Sequence, residues 1–383
     1  MNDYESRIER AKQAITEAKY ILIGGGAGLS DAAGLKYSGK RFADNFAPFI
    51  KKYGFTDLYT SSFYPFKTHE ERWAYWAKHI AVNRYEEPPA ALYQDLLQLV
   101  RGKEYFALTT NVEHQFVKAG FPEEKVFAVQ GDYGLFQCAM GCHNTLYVNE
   151  SQIKLMVSDT NDCRIPSALV PKCPVCGGEM DTNLRHNEYF VQDKNWYQAE
   201  RLYRDFIRAS DGKRIVYLEL GVGFNTPGII RLPFEQMTYQ NEKAALIRVN
   251  RDYPRGANEN ERRTIAFTED MAATVAAINR SDRTQAIQLV SINKISGGKT
   301  MNKLNALNDW TKKTISFLAP KSAQGYLCPA MAAAGSCGSS CGAGGDKPKD
   351  EPKPGSCGAG DDKPKDEPKP SACGSSCGAS EQK

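Results

Sequence analysis

Short apolar runs recur along the chain, and most end in glycine or polar residues. Tyr20 to Ile23 runs into Gly24-Gly25-Gly26, Tyr105 to Asn111 ends in Thr109-Thr110-Asn111, and Val126 to Gln130 forms a third run. Ile215 to Leu220 opens onto Gly221-Val222-Gly223-Phe224-Asn225-Thr226-Pro227, Ala244 to Asn250 is a fifth, and Thr264 to Phe267 a short sixth. Runs that are apolar throughout, without alternation, predict strands buried on both faces, as in a parallel sheet covered by helices. Helical spacing supplies the covers: Ile8, Ala11, Ile15 and Ala18 near the start, a helix over about His69 to Val82, one starting at Pro88-Pro89, and an Ala-rich one from Glu269 to about Asn279. The predicted fold class is α/β, a Rossmann-like parallel sheet, with the polar strand ends at the edge where such sheets take ligands.

The first of these ends carries the chemistry. A glycine-rich turn between a buried strand and a helix lets backbone N–H groups approach a pyrophosphate, and the helix N-terminus adds partial positive charge. Glycines also serve tight turns with no ligand at all, so the turn gains its meaning from its company.

Cysteine spacing adds a second signal. Cys138-x3-Cys142 followed by Cys173-x2-Cys176 is the pattern of a four-thiolate zinc site built from two turns, and Pro174, Gly177 and Gly178 suit a knuckle. His143 and Cys163 are further candidate ligands, but neither belongs to a paired turn.

Taken together, the motifs resemble those of sirtuins. Gly26-Ala27-Gly28-Leu29-Ser30-Asp31-Ala32-Ala33-Gly34-Leu35 fits the GAG-x-S-x-x-x-G-[IL] signature, and Thr109-Thr110-Asn111-Val112-Glu113 is similar to T-Q-N-[IV]-D. Gly221-x-Gly223 and Val249-Asn250 resemble the two late motifs around the adenosine half of NAD. The resemblance spans residues 1 to about 320 and implies an NAD co-substrate, with Gly26, Ala27, Gly28, Phe42, Asn111, Gln130, Gly221, Gly223, Asn225 and Asn250 around it. It also implies that the Zn2+ is structural, in a small ribbon inserted between halves of the nucleotide fold.

The departures are informative. Lys36-Tyr37-Ser38-Gly39 follows Leu35 where most sirtuins read P-D-F-R, with Phe42 close behind, and Val129-Gln130-Gly131-Asp132 stands where sirtuins have a catalytic histidine before glycine. An amide can orient a ribose hydroxyl but cannot take its proton, and loss of a general base costs deacylation a factor of roughly 10² to 10⁴. ADP-ribose transfer asks only for positioning of a sugar whose leaving group is already cationic. Asn111 and Gln130 serve that task; Asp132 or Glu113 is the nearest carboxylate should an acceptor need a base, each also readable as structural or as a ribose ligand. This set of changes resembles the class M, macrodomain-linked sirtuins. The resemblance implies mono-ADP-ribosylation of a lipoylated glycine-cleavage H-like carrier protein, a companion macrodomain hydrolase and a role in oxidative stress. A weak deacylase and a silent NAD-binding scaffold are the alternatives.

Composition changes this picture little until residue 326. The chain has 383 residues and a net charge of +4, too slight and unclustered to expect nucleic acid, and no apolar run long enough to expect a membrane span. A cytoplasmic protein is expected. The sequence divides into a Rossmann-like domain in three parts (1–35, 101–135 and 191–325), a helical insertion over 36–100, a zinc-ribbon module over 136–190 and a tail over 326–383. In the tail Asp346-Lys347-Pro348-Lys349-Asp350-Glu351-Pro352-Lys353-Pro354 recurs from Asp362 to Pro370, with no apolar face, so disorder is expected. It carries six of the eleven cysteines, readable as incidental thiols or as a soft-metal or redox-active arm.

Overall fold

The structure is a computed structural model and describes residues 3–280. The end of the third Rossmann part and the tail, 326–383, lie outside the described residues. Helix α1 (Asp3–Glu17) leads into β1 (Tyr20–Gly25) and the short α2 (Ala27–Ala32). A helical segment follows, with α3 (Lys40–Tyr53), α4 (Leu58–Ser61), α5 (His69–Ile80) passing into a π turn over Ala81–Glu86, and α6 (Ala91–Leu99). Next come β2 (Glu104–Thr109), α7 (Gln115–Lys118), β3 (Val126–Ala128), β4 (Gly131–Cys138), β5 (Tyr147–Val148), α8 (Glu150–Ser158) and β6 (Met180–Leu184). The rest is α9 (Lys194–Ser210), β7 (Ile215–Leu220), α10 (Arg231–Gln240), β8 (Ala244–Val249), β9 (Thr264–Phe267) and α11 (Met271–Asn279).

Six strands form one parallel sheet in the order β3-β2-β1-β7-β8-β9, the six that the apolar runs predict. Strand order reverses on either side of β1, so the turn after β1 and the turn after β7 open side by side at the switch point, where open α/β sheets bind ligands. Both faces are covered. Ile21, Ile23 and Leu218 pack with Ile8 and Ile15 of α1, Leu96 of α6 and Val275 of α11. Leu22, Phe106 and Leu246 pack on the opposite face with Trp196 of α9 and Phe234 of α10. Polar side chains fix the helix starts: Thr68, Asp193 and Asp270 accept from backbone N–H groups three residues on, capping α5, α9 and α11.

A second body stands off the sheet. Strands β5, β4 and β6 form a small antiparallel sheet that carries the cysteine turns. Phe42, Phe46 and Phe49 of α3 and Trp73 and Tyr75 of α5 are buried in the same cluster as Phe136 and Cys138 of β4, Met156 of α8 and Met180 of β6. The helical insertion and the cysteine module, far apart in sequence, therefore share one core. Trp73, 2% exposed, meets Phe136 edge-on with ring centroids 4.9 Å apart. Trp73→Ala should destabilise the protein by about 3–5 kcal/mol through loss of buried area and the cavity left behind. Urea unfolding followed by far-UV circular dichroism checks this; a change under about 1 kcal/mol would show that the two segments do not depend on each other.

Candidate active site

The glycine turns after β1 and β7 touch backbone to backbone. Gly26 N–H donates to Leu220 O at 3.0 Å and Gly28 N–H to Gly221 O at 2.9 Å. Gly221 adopts φ +59, and a Cβ there would lie 2.4 Å from Gly28 C and Leu29 N. A Cβ on Gly26 would meet Gly221 O at 2.6 Å. Neither approach is open to a side chain. Gly223, by contrast, is exposed with nothing near its Cβ position, Asn225 just after it is exposed, and so is Ala27 in the turn after β1.

Asn111 closes one side of the turn. Its backbone N–H bonds Thr109 Oγ1 at 3.0 Å, while Thr109 Oγ1 itself donates to Gly25 O at 3.0 Å. Its Nδ2 donates to Gly26 O and to Ser30 Oγ, both at 2.9 Å. Ser30 in turn donates to Glu113 Oε1 at 2.7 Å, which also accepts from Tyr93 OH at 3.0 Å, and Glu113 Oε2 accepts from Val112 N–H at 3.0 Å. Glu113 is 5% exposed and has donors on both oxygens, so its place is beneath the site, holding Ser30 and Asn111. This Ser30–Glu113–Tyr93 brace was not anticipated in the sequence, although a serine and an acid inside the two motifs hinted at it.

Gln130 follows β3, and its carbonyl accepts from Arg185 N–H at 3.0 Å. Asp132, two residues on, is fully engaged. Its oxygens accept from Arg84 Nε at 2.8 Å and Gly134 N–H at 2.6 Å, and it pairs with His114 Nδ1 at 2.9 Å. Against the desolvation that would raise it, the His114 hydrogen bond and the Arg84 charge hold its pKa down to about 2. Such a carboxylate is a poor base near neutrality, and Asp132 is better described as the tie between the start of β4, next to Gln130, and the π turn that carries Arg84. The π turn and the left-handed backbone of His114, φ +67, are what bring Arg84 and the His114 ring to it. Deeper still, His79 Nε2 lies 2.9 Å from Tyr133 OH and Nδ1 3.2 Å from Tyr75 OH. Tyr75 OH donates to Leu58 O, so Nδ1 carries the proton and Nε2 accepts from Tyr133. Burial pushes His79 down to about 3, leaving it neutral.

Arg185, absent from the sequence-based set, is the unexpected feature. Its Nε and Nη2 are buried without a hydrogen-bond partner in the protein, while its guanidinium lies 4.5 Å from the Phe190 ring centroid. Burial lowers its pKa from the usual arginine value. Unpaired buried guanidinium nitrogens point to an anionic partner.

At the other end, Asn250 is a staple: Nδ2 donates to Val222 O at 2.9 Å, and Oδ1 accepts from Tyr253 N–H at 2.9 Å and Asp252 N–H at 3.1 Å. Below it Glu219 of β7 and Arg248 of β8 stand in register, both 0% exposed, paired at 2.8 Å through two bonds. Arg248 also donates to Arg255 O at 2.7 Å, and Arg231 to Tyr253 O at 3.2 Å, which fixes the loop after β8. Phe42 is 2% exposed and stacked on Phe46 with centroids 5.3 Å apart, in the cluster that also takes in Tyr133 and Val112.

The four cysteines converge. The sulfurs of Cys138, Cys142, Cys173 and Cys176 lie within 4.8 Å of one another, with Cys142–Cys173 at 3.6 Å and Cys138–Cys176 at 3.8 Å. A tetrahedral ion bound at about 2.3 Å by four thiolates needs sulfurs about 3.8 Å apart, so the set fits one. Against desolvation, backbone N–H donors of Cys176 and Val175 hold the Cys173 thiol down to about 6. His143 Nδ1 sits 3.0 Å from Cys142 Sγ and 3.8 Å from Cys173 Sγ, outside the four, and its Nε2 meets Tyr147 OH at 2.8 Å. Cys163 is buried and is not part of the group.

A parallel sheet with a glycine cradle at its switch point, beside a four-cysteine module, defines an α/β protein of nucleotide-binding type. The chain is 36% identical over 285 residues to a protein ADP-ribosyltransferase of Staphylococcus aureus (strain Mu50 / ATCC 700699), covering 74% of this chain and 90% of that protein. It belongs to the protein ADP-ribosyltransferase family. It is also 30% identical over 263 residues to a probable bifunctional ADP-ribose hydrolase/ADP-ribosyltransferase of Fusarium oxysporum f. sp. cubense, spanning 65% of this chain and 43% of that longer protein. Similar solved structures include a Sir2 homolog–NAD complex (17% identity, TM-score 0.46, covering 72% of this chain and 94% of that one). Another is a mutant Sir2 homologue with 2'-O-acetyl ADP ribose (18%, TM-score 0.49, 72% and 97%). Residues 302–382, outside the described residues, match the family of ACGX-repeat peptides. No helix among the described residues is long and apolar enough to cross a membrane.

The Asp132 tie has a pH signature. Its folded pKa is depressed, so its stabilisation is complete above the unfolded value near 4 and is lost as pH falls toward 2. Asp132→Asn should lower stability at pH 7 by about 3 kcal/mol, with the gap from wild type closing as the pH falls through that window. Denaturant midpoints measured against pH check this; a gap independent of pH would mean Asp132 is not ionised in its pairing.

Proposed function

We propose that the chain is an NAD-dependent protein mono-ADP-ribosyltransferase that transfers ADP-ribose to an acceptor side chain and releases nicotinamide. The observation that carries this reading is Gln130: an amide stands at the position where the sirtuin deacylation mechanism needs a titrating base, and neither nearby carboxylate is free to replace it. When NAD binds at the glycine cradle it supplies an activated ribose with a cationic leaving group. The cradle of Gly26, Ala27, Gly28, Gly221 and Gly223 takes the pyrophosphate side, and Asn225 and Asn250 the adenosine side. Asn111 and Gln130 orient the nicotinamide ribose as its anomeric carbon becomes electron-poor, and the packed insertion excludes water from it. Asp132 acts as a positioning residue through the start of β4, which follows Gln130. Arg185 meets an anionic group, on the acceptor or on NAD.

The finer reading is that the acceptor is a lipoylated glycine-cleavage H-like carrier protein, modified in the cytoplasm under oxidative stress and released by a macrodomain hydrolase. The sirtuin class M motifs support it, and the bifunctional hydrolase/transferase relative supports the hydrolase partner. The converging sulfurs support one structural Zn2+ per chain on Cys138, Cys142, Cys173 and Cys176, with no open position for chemistry.

Labelled NAD incubated with the purified protein and host lysate, followed by mass spectrometry of labelled proteins, tests the function; NAD hydrolysis with no labelled protein would contradict it. Asn111→Ala and Gln130→Ala should each lower transfer by about 100-fold with the fold intact, the usual effect of removing an oriented donor. Wild-type rates in either variant would remove that residue from the mechanism. Gln130→His alone should not give an efficient deacylase, because Lys36-Tyr37-Ser38-Gly39 also departs from the deacylase pattern; O-acyl-ADP-ribose formed at sirtuin-like rates would show that only the base was missing. Cys173→Ser should lose the metal and lower the melting temperature, with activity falling only as the small body unfolds. Unchanged zinc content by atomic emission would contradict the ligand set.

A further inference from the structure

Two large aromatic side chains stand open past the ends of β7 and β8. Phe224 follows Gly223 in the turn after β7 and Tyr253 lies in the loop after β8; they are 53% and 49% exposed. Their ring centroids are 4.9 Å apart and the planes cross at 86°, so the pair forms a corner with open ring surface on both walls.

Buried groups hold this corner from below. The guanidinium carbon of Arg231, itself buried, lies 4.6 Å from the Phe224 centroid. The same guanidinium donates through both terminal nitrogens to Tyr253 O at 3.2 Å and through Nη2 to Arg255 O at 2.8 Å, and its Nη1 lies 3.4 Å from Glu219 Oε1. Asn250 ties the two loops a second time, donating from Nδ2 to Val222 O and accepting at Oδ1 from Tyr253 N–H. One cation and one amide thus set both rings, and the buried pairing of Arg231 with Glu219 makes the arrangement costly to distort. Ordering a ring that stays half in water costs side-chain entropy and returns little burial, so the fixed corner is accounted for by what it receives.

Its place defines the occupant. Dinucleotides lie across the switch point of such a sheet, with the pyrophosphate at the glycine turn. With the nicotinamide ribose at Asn111 and Gln130, on the β2 and β3 side, the second base falls past the ends of β7 and β8, where the corner stands. A purine presents two flat π faces and suits an aromatic wall.

We propose that Phe224 and Tyr253 are the adenine platform of this site and hold the base of the co-substrate by stacking. The proposal rests on the NAD-dependent reading above. The base lies at the far end of NAD from the carbon that reacts, so the corner contributes affinity and selects the nucleotide, while the bond change is left to the groups around the nicotinamide ribose.

The test uses the purified full-length protein with ADP-ribose in calorimetry. Phe224→Ala and Tyr253→Ala should each weaken binding about 5- to 150-fold, the range for stacking of a base on an aromatic ring, with the far-UV circular dichroism of the wild type. Phe224→Tyr and Tyr253→Phe keep a ring and should bind as the wild type does. Irradiation of the wild-type protein with 2-azido-ADP-ribose, which carries its reactive group on the base, should label the peptides that contain Phe224 or Tyr253. ADP-ribose bound with wild-type affinity by either alanine variant, equal losses in Tyr253→Phe and Tyr253→Ala, or label confined to other peptides would overturn the adenine platform and leave the transferase reading standing. Absence of ADP-ribose binding by the wild-type protein would overturn both.

Discussion

The contact between two glycine turns is the constraint on which the site depends. Gly28 N–H reaches Gly221 O at 2.9 Å only because neither residue carries a Cβ and because Gly221 can hold a left-handed backbone. That contact draws the ends of β1 and β7 together at the switch point of the sheet. Everything else is arranged around it: Asn111 hydrogen-bonds the Gly26 carbonyl from the β2 side, and Asn250 pins Val222 from the β8 side. A side chain at Gly28 or Gly221 would therefore push apart the two halves of the cradle before any ligand arrived.

The second body matters because it fixes the start of β4, next to Gln130. Arg84, presented by the π turn, reaches across to Asp132 and meets His114 there, so the insertion, the start of β4 and the segment after Asn111 converge on one carboxylate. The shared core around Trp73 and Phe136 makes this convergence rigid. The ionised carboxylate is thereby used for position.

Much of the frame was legible in the sequence, because its signals are local. Buried parallel strands read as unbroken apolar runs, glycine turns as glycine clusters, and the cysteine group as two paired turns, and all three appear in the structure. What was not legible depends on contacts between distant segments. The common core of insertion and cysteine module joins Phe42 to Met180, and no spacing rule predicts that. Phe42 itself, placed by resemblance near the cofactor, packs inside that core. Glu219 and Arg248 left a trace, one charge in each of two neighbouring apolar runs, and the parallel register shows that they face each other. Arg185 left none, since an arginine after a short strand is ordinary until its buried nitrogens are seen without partners.

The most direct test is the pH dependence of nicotinamide release under single-turnover conditions with acceptors of different pKa. If transfer runs without an enzyme base, the inflection in the rate follows the ionisation of the acceptor and moves when the acceptor is changed. An inflection near neutrality that stays fixed whichever acceptor is supplied, and disappears in His114→Gln, would show that the enzyme does carry its own base and would contradict this description of the site.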